Sequence, residues 1–437
     1  MIELTETELT EKTGITARTV AAMRDGLNQE RVSLRFLRYF MGPAVIAAIA
    51  YVDPGNVATN IEAGSRYGYS LLWVVAFSNV LAMLFQAFSA RLGIVTGKNL
   101  AEHARDLYPP FIVGGMWIVS ELAVMATDLA ELIGGGLGIA LLTGFPILVG
   151  MLVMAVGTYI ILYFQKIGFR PVEWVIASLL SIIALCYLFE LIVAQPPLAA
   201  ILYHTFVPQL PDKGAVVLAA GIIGATIMPH AIFLHSGLTQ ERIVGETEQE
   251  KRRILHFSNI ETVLALTVAG FVNMAMLAFA ARVFHGVNNG IAEIDTAYYG
   301  IISYRGIVAA SIFLVSLVAA GLSSSAVGTM AGQLVMQGFL RRSIPLWVRR
   351  LVTIVPSFIV VGLGFNPTTS LIISQVILSF ALPVPMIVLM MVIGRRAIMG
   401  SFTPHWGIMA LAGIGSAVVL FINILLVVQT IWDISFI

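Results

Sequence analysis

The stretch AAIAYVDPGNVATNI, residues 47–61, places Asp53-Pro54-Gly55-Asn56 in the middle of an apolar run from about Gly42 to Gly64. A helix of that length and composition can cross a bilayer. Pro54 removes a backbone donor and Gly55 weakens the helix at the same point, so a break is predicted there. A break at membrane depth frees carbonyls and amides that lipid does not satisfy, and it persists only where it lines a cavity or a site. Asp53 lies about 11 residues from either end of the run, or ~16 Å at 1.5 Å per residue, which is mid-bilayer. An isolated carboxylate at that depth costs at least ~2.5–3.5 kcal/mol, so Asp53 is a functional candidate whose simplest partner is a cation.

The rest of the chain agrees with a membrane setting. Of 437 residues 58% are apolar and 11% charged, against roughly 25% charged in soluble domains. Eleven runs are long enough to span: 41–64, 69–95, 111–142, 146–164, 172–194, 214–240, 257–284, 306–338, 351–365, 369–393 and 406–431. The expected architecture is an all-α membrane protein of eleven transmembrane helices, with residues 1–36 as a cytoplasmic tail and 37–437 as the membrane domain. With the N-terminus inside, 21 Lys and Arg fall on the cytoplasmic side and only Arg66, Lys213, Arg282 and Arg305 on the other. That asymmetry predicts N-terminus in and C-terminus out. Residues 1–36 begin no signal peptide; Thr13-Gly14-Ile15-Thr16 only faintly resembles a helix-turn-helix, so a solvated, partly helical tail is expected and no nucleic-acid partner. Cys186 is the single cysteine, which excludes an intrachain disulfide.

Polar residues inside the spans mark a second candidate region. Span 3 carries Glu121, Asp128 and Glu131, whose spacings of seven and three put them on one helix face. Such a stripe inside a bundle is how carriers relay protons. In span 5, Glu173 and Glu190 read as interface residues. Span 6 contains Thr226-Ile227-Met228-Pro229-His230, a second mid-span proline. Five helices separate the two breaks, and because five is odd the broken helices run in opposite directions, as inverted repeats require. Spans 1–5 (about 41–194) and 6–10 (about 214–393) are therefore read as repeats, with span 11 (about 406–431) appended. His235 is seven residues beyond Met228, on the same face and ~10 Å nearer the cytoplasm, where it is a candidate for handling protons. Small residues at 321–332 in span 8 permit close packing. Arg349 and Arg350 open span 9, either snorkelling to headgroups or pairing with the acidic face of span 3. Gln375 lies in span 10 and needs a partner; Pro383 and Pro385 are expected to kink that helix.

Brought together, the breaks contain the Asp53 carboxylate, the Asn56 amide, carbonyls such as those of Ala50 and Ala225, and the Met228 sulfur. Oxygen alone suits hard cations, whereas a thioether favours transition metals, so the mixture implies a first-row divalent metal. Asp53-Pro54-Gly55-Asn56, Met228-Pro229-His230 and Met125-Ala126-Thr127-Asp128-Leu129-Ala130-Glu131 closely resemble the Nramp family of proton-coupled divalent metal transporters. Gly321-Leu322-Ser323-Ser324-Ser325 and Ser374-Gln375-Val376 extend the resemblance over roughly residues 40–430. It implies a LeuT-type inverted-repeat fold in the cytoplasmic membrane, with Mn2+ or Fe2+ as substrates and Cd2+ and Co2+ accepted. It also implies Asp53, Asn56 and Met228 as side-chain ligands, Ala50 and Ala225 as carbonyl ligands, and Gln375 near the metal in some states. Asp128, Glu131, His230 and His235 would match the proton pathway, and Glu121, Arg349 and Arg350 a network between spans 3 and 9.

Metal ions and protons would be substrates rather than cofactors, and no obligatory protein partner is inferred. The nearest rival is a sodium-coupled organic-solute symporter of the same fold, which fold alone does not exclude. An intramembrane zinc protease would need His-Glu-x-x-His, and His230-Ala231-Ile232-Phe233-Leu234-His235 has neither the spacing nor the glutamate.

Overall fold

The computed structural model describes residues 23–24, 41–166, 168–240, 242, 244–286, 293–342 and 344–432. Among them every regular element is helical. In chain order these are α1 (Pro43–Ile49), α2 (Pro54–Tyr67), α3 (Leu72–Thr96), α4 (Leu100–Leu107), α5 (Pro110–Thr143) and α6 (Ile147–Tyr163). There follow α7 (Phe169–Ala194), α8 (Leu198–Phe206), α9 (Lys213–Thr226), α10 (Pro229–Gln240), α11 (Glu248–Phe284) and α12 (Ile294–Arg305). The last are α13 (Ile307–Leu340), α14 (Leu346–Gly362), α15 (Pro367–Ala381), α16 (Pro383–Ile393), α17 (Arg396–Met399) and α18 (Trp406–Trp432). Taking α9 with α10 and α15 with α16, eight helices among the described residues are long and apolar enough to cross a membrane. The other stretches expected to span form shorter helices: α1 and α2 around the first break, and α6 and α14 of 17 residues each.

Both proline sites end one helix and start another. Asp53 caps α2 by accepting from the Asn56 amide, and Pro54 takes the first helical position, where its missing donor costs nothing. The segment before it is closed by tight turns, with Ala50, Tyr51 and Val52 donating to Ala47, Ala48 and Ile49. At the second site α9 ends at Thr226, and α10 starts at Pro229. The prolines near the end of span 10 likewise divide it, at Leu382, into α15 and α16.

Close approach of backbones builds the centre. A Cβ at Gly224 of α9 would collide with the backbone of Gln375 and Ser379 in α15, and one at Gly134 of α5 would collide with Pro54. On α13, a Cβ at Gly321 would come within 2.9 Å of the Glu131 carbonyl of α5. These glycines let α5, α9, α13 and α15 press around the breaks.

The start of α1 is held by charged groups from three other segments. Glu261 of α11 accepts from the amides of Gly42, Ala44 and Val45 at 2.5, 2.9 and 3.3 Å. Arg170 and Arg242 both donate to the Met41 carbonyl, and Glu173 bridges the two arginines. At this end lies a cavity of about 610 Å3 whose lining includes Arg170, Glu173, Arg242, Gln240, Met330 and Met23.

Several expectations change. Met23 is helical and buried, so the tail is packed rather than solvated at that residue; the remainder of 1–36, apart from Arg24, lies outside the described residues. Span 9 starts at Leu346, not 351, which brings Arg349 and Arg350 inside the helix, where both are buried. The connection after span 5 contains the short helix α8, whose Leu198, Leu202, Tyr203 and Phe206 are exposed.

Candidate functional site

Asp53, Asn56, Met228 and Gln375 are all fully buried. The Asp53 Oδ1 atom accepts from both nitrogens of Asn56, backbone and side chain, each at 2.7 Å. The Asn56 side-chain nitrogen also donates to the Ala225 carbonyl at 3.0 Å, so the first turn after one break is tied to the backbone at the other. Gln375 reaches Asp53 Oδ2 at 3.5 Å, a loose contact, over Gly55, where a Cβ would collide with its amide. The Asn273 side chain of α11 takes the Tyr51 carbonyl at 2.7 Å.

The unsatisfied atoms at this junction are two amide oxygens and a hydroxyl that can both donate and accept. Asn56 Oδ1 and Gln375 Oε1 have no hydrogen-bond partner, nor has the Thr226 hydroxyl, although all are buried. Buried acceptors without donors are costly unless something electropositive meets them. Among the described residues no group of three or more His, Cys, Asp and Glu is placed to hold a metal. The oxygens gathered at this junction are one carboxylate with amide and carbonyl groups, Ala50 and Ala225 lying at the ends of α1 and α9, while Met228 is buried directly before Pro229.

A second polar cluster lies along α5. Asp128 pairs with Arg350 at 2.8 Å, and Glu121 with Arg349 at 2.8 Å. Of the two fates open to the arginines, the structure shows ion pairing with α5 rather than snorkelling. Arg350 also donates to Thr329 at 2.9 Å and to Ser325 of α13. Glu131 adjoins this pair through Asp128 but has no ion pair of its own, and its carboxylate faces Gly328, where a Cβ would lie 3.4 Å away.

The two histidines of α10 face different neighbours. His230 Nδ1 faces the Thr127 hydroxyl of α5 at 3.3 Å, next to Asp128. His235 Nδ1 lies 2.8 Å from Gln86 Oε1 of α3, and Gln86 in turn donates to the Tyr51 hydroxyl in the first break. Residues 230 and 235 are five apart, half a turn out of step with the helix repeat, so they face different neighbours. Sequence reasoning gave no role to Tyr51, Gln86, Thr226 or Asn273 around the breaks; for Gln86 and Asn273 a polar group inside an apolar span was the available signal.

The profile described as Natural resistance-associated macrophage protein-like (Nramp) matches residues 44–429. The divalent metal cation transporter MntH of Acidiphilium cryptum (strain JF-5) is 53% identical over 97% of each chain. The protein of the same name from Verminephrobacter eiseniae (strain EF01-2) is 51% identical, over 95% of this chain and 94% of its own. Among solved structures, the Eremococcus coleocola manganese transporter in complex with an aromatic bis-isothiourea substituted compound superposes with a TM-score of 0.82 at 29% identity. That match covers 90% of this chain and 86% of the other. Mhp1, a nucleobase-cation-symport-1 family transporter, shares the fold at a TM-score of 0.59 and 15% identity, over 90% and 92% of the two chains. A profile match over most of the length, with relatives more than half identical almost end to end, means that this multi-pass membrane protein belongs to the Nramp family.

Proposed function

We propose that the chain imports divalent transition-metal cations, Mn2+ foremost and Fe2+, Cd2+ and Co2+ besides, together with protons, across the cytoplasmic membrane by alternating access. The observation that carries this reading is that Asn56 and Gln375, the two side chains that meet Asp53, each keep a buried oxygen without a donor, with Met228 buried directly before the proline of the second break. Hard oxygens and one soft sulfur suit Mn2+ and Fe2+ better than Ca2+ or Na+. The relatives named divalent metal cation transporter and manganese transporter point the same way. Likeness to Mhp1 does not separate a metal substrate from an organic one, since fold alone does not fix function.

In this reading the scaffold has eleven spans: α1 with α2, α3, α5, α6, α7, α9 with α10, α11, α13, α14, α15 with α16, and α18. The first five and second five form inverted repeats whose broken members cross at the site. The N-terminus is cytoplasmic and the C-terminus extracytoplasmic, following the 21 to 4 division of basic residues. Asp53, Asn56, Met228 and, by state, Ala50, Ala225 and Gln375 hold the metal. Asp128 and Glu131, with Glu121, His230, His235, Arg349 and Arg350 around them, carry the proton on a separate route.

The test is reconstitution in liposomes with Mn2+ uptake and internal pH followed together. Uptake should rise with external acid and an inside-negative potential, each charge gaining ~2.3 kcal/mol per 100 mV. Asp53→Ala should abolish uptake while the protein remains folded by gel filtration. Wild-type rates in that variant would remove Asp53 from the site.

A further inference from the structure

Glu173 and Glu190 share the buried face of α7, yet their surroundings differ completely. Glu173 is gripped by Arg170 and Arg242. Glu190 lies 17 residues further on, or ~25 Å along the helix at 1.5 Å per residue. It is fully buried, and neither carboxylate oxygen has a hydrogen-bond partner. Nothing in the proposed transport mechanism uses it.

The elements packed against α7 bring no countercharge to it. Neither α13 nor α1 contains an ionisable side chain anywhere along its length. The charged residues of α11 lie toward its ends: Glu261 caps α1, and Arg282 is exposed. On α6 the only ionisable groups are Tyr159 and Tyr163, both exposed. The nearest titratable neighbours are on α7 itself, Cys186 and the buried Tyr187, one turn before Glu190. An ionised carboxylate in such a place costs several kcal/mol with nothing to offset it, whereas the neutral acid needs only a place for its own hydrogen.

We propose that Glu190 is a proton-binding site, holding one resident proton in the seam between α7 and α13, apart from the Asp128 and Glu131 cluster. The ligand is a proton rather than a metal ion, because Glu173 of α7 and Glu261 of α11 lie around the start of α1, at the other end of α7, and leave Glu190 without a second carboxylate. The proton is lost when water enters the seam, so occupancy is linked to the packing of α7 on α13.

Infrared difference spectra of wild type and Glu190→Gln in lipid at neutral pH test this directly. Wild type should show a carboxylic-acid carbonyl band that shifts in deuterated water and is missing from the variant. If subtraction reveals only carboxylate bands, Glu190 is ionised and the proposal is overturned. Thermal unfolding supplies an independent readout. The native state holds a proton that an unfolded, solvated glutamate releases above its usual range near pH 4.3, so wild-type stability falls as pH rises toward the pH at which the native site releases its proton. Glutamine lacks that dependence, so the melting temperature of Glu190→Gln relative to wild type should climb from pH 5 to pH 8; a constant difference overturns the proposal. Replacing choline chloride with NaCl should leave both melting temperatures unchanged, and a rise confined to wild type would make the occupant Na+ instead. Because the proton is resident, protons moved per Mn2+ should be the same in both proteins, and a lower count in the variant would overturn residence.

Discussion

The Asp128–Arg350 pair offers an asymmetric test of how charge is stored beside the breaks. Both side chains are buried and their charged atoms are 2.8 Å apart. At an effective dielectric of about 20, that separation corresponds to a Coulomb attraction of roughly 6 kcal/mol, most of which offsets desolvation. Removing one partner of a buried pair costs about 3–5 kcal/mol because the other charge is stranded. In Asp128→Asn the stranded group is a guanidinium, which does not lose its proton and retains only the Thr329 and Ser325 hydroxyls as known neutral acceptors. The cost should therefore be near 4–5 kcal/mol and constant between pH 5 and pH 8. In Arg350→Gln the stranded group is a carboxylate that can neutralise itself with a proton, so the loss should be smaller and shrink further at acid pH. The double variant strands no charge and should be more stable than Asp128→Asn alone. Unfolding midpoints of the three purified variants between pH 5 and pH 8 decide the matter. A double variant that melts as low as Asp128→Asn would refute the reasoning, as would an Arg350→Gln that is the less stable single variant at pH 5. In liposomes, Asp128→Asn should also flatten the pH and voltage dependence of uptake while Mn2+ still binds.

Two further outcomes concern the metal site. Met228→Ala should retain Mn2+ transport with moderate loss, lose more Cd2+ affinity and become sensitive to Ca2+, a differential of ~1–3 kcal/mol, the size typical of site couplings; competition of Ca2+ and Cd2+ with Mn2+ uptake measures it, and unchanged competition by both ions would leave Met228 a packing residue. Gly55→Ala puts a methyl group where the Gln375 amide lies and 2.9 Å from Asp53 Oδ2, so Mn2+ uptake should fall at least about tenfold, or ~1.4 kcal/mol. Adding Gln375→Ala to Gly55→Ala should recover part of that loss, whereas Gly114→Ala, with no neighbouring atoms within 4 Å, should be silent.

What was legible in the sequence follows from how local each signal is. Proline and glycine act on their own backbone, so the breaks at Pro54 and Pro229 could be read from a few residues. Carboxylates in apolar runs are conspicuous wherever they pack, which made Asp53, Asp128 and Glu131 stand out. Partnership is not local. Glu261 caps the start of α1 across 219 residues of chain, and no spacing rule foretells that an acid in span 7 serves span 1. Glu173 and Glu190 looked alike because each is a single acid near one end of the same helix; only the arginines packed against the first distinguish them. Counting along one helix put His235 on the face of Met228, but it did not foretell that Gln86 of α3 would meet it there.

The two breaks are stitched to each other, and this bears on how a metal enters the proposed site. Asn56 turns its nitrogen toward both Asp53 and the Ala225 carbonyl and leaves its oxygen without a partner. With no cation between them, this orientation is favourable, because an amide oxygen facing a carboxylate repels it. A divalent cation beside Asp53 reverses the preference: the amide oxygen becomes a ligand and its NH2 group an obstacle. Turning the amide breaks the bond to Ala225 and frees that carbonyl at the end of α9, so one side-chain rotation would supply two oxygens and loosen the tie between α2 and α9. In the proposed mechanism, metal binding at Asp53 and the relative movement of the two half-helices would be coupled through Asn56, and loading the site and releasing the contact between the breaks would be parts of one step.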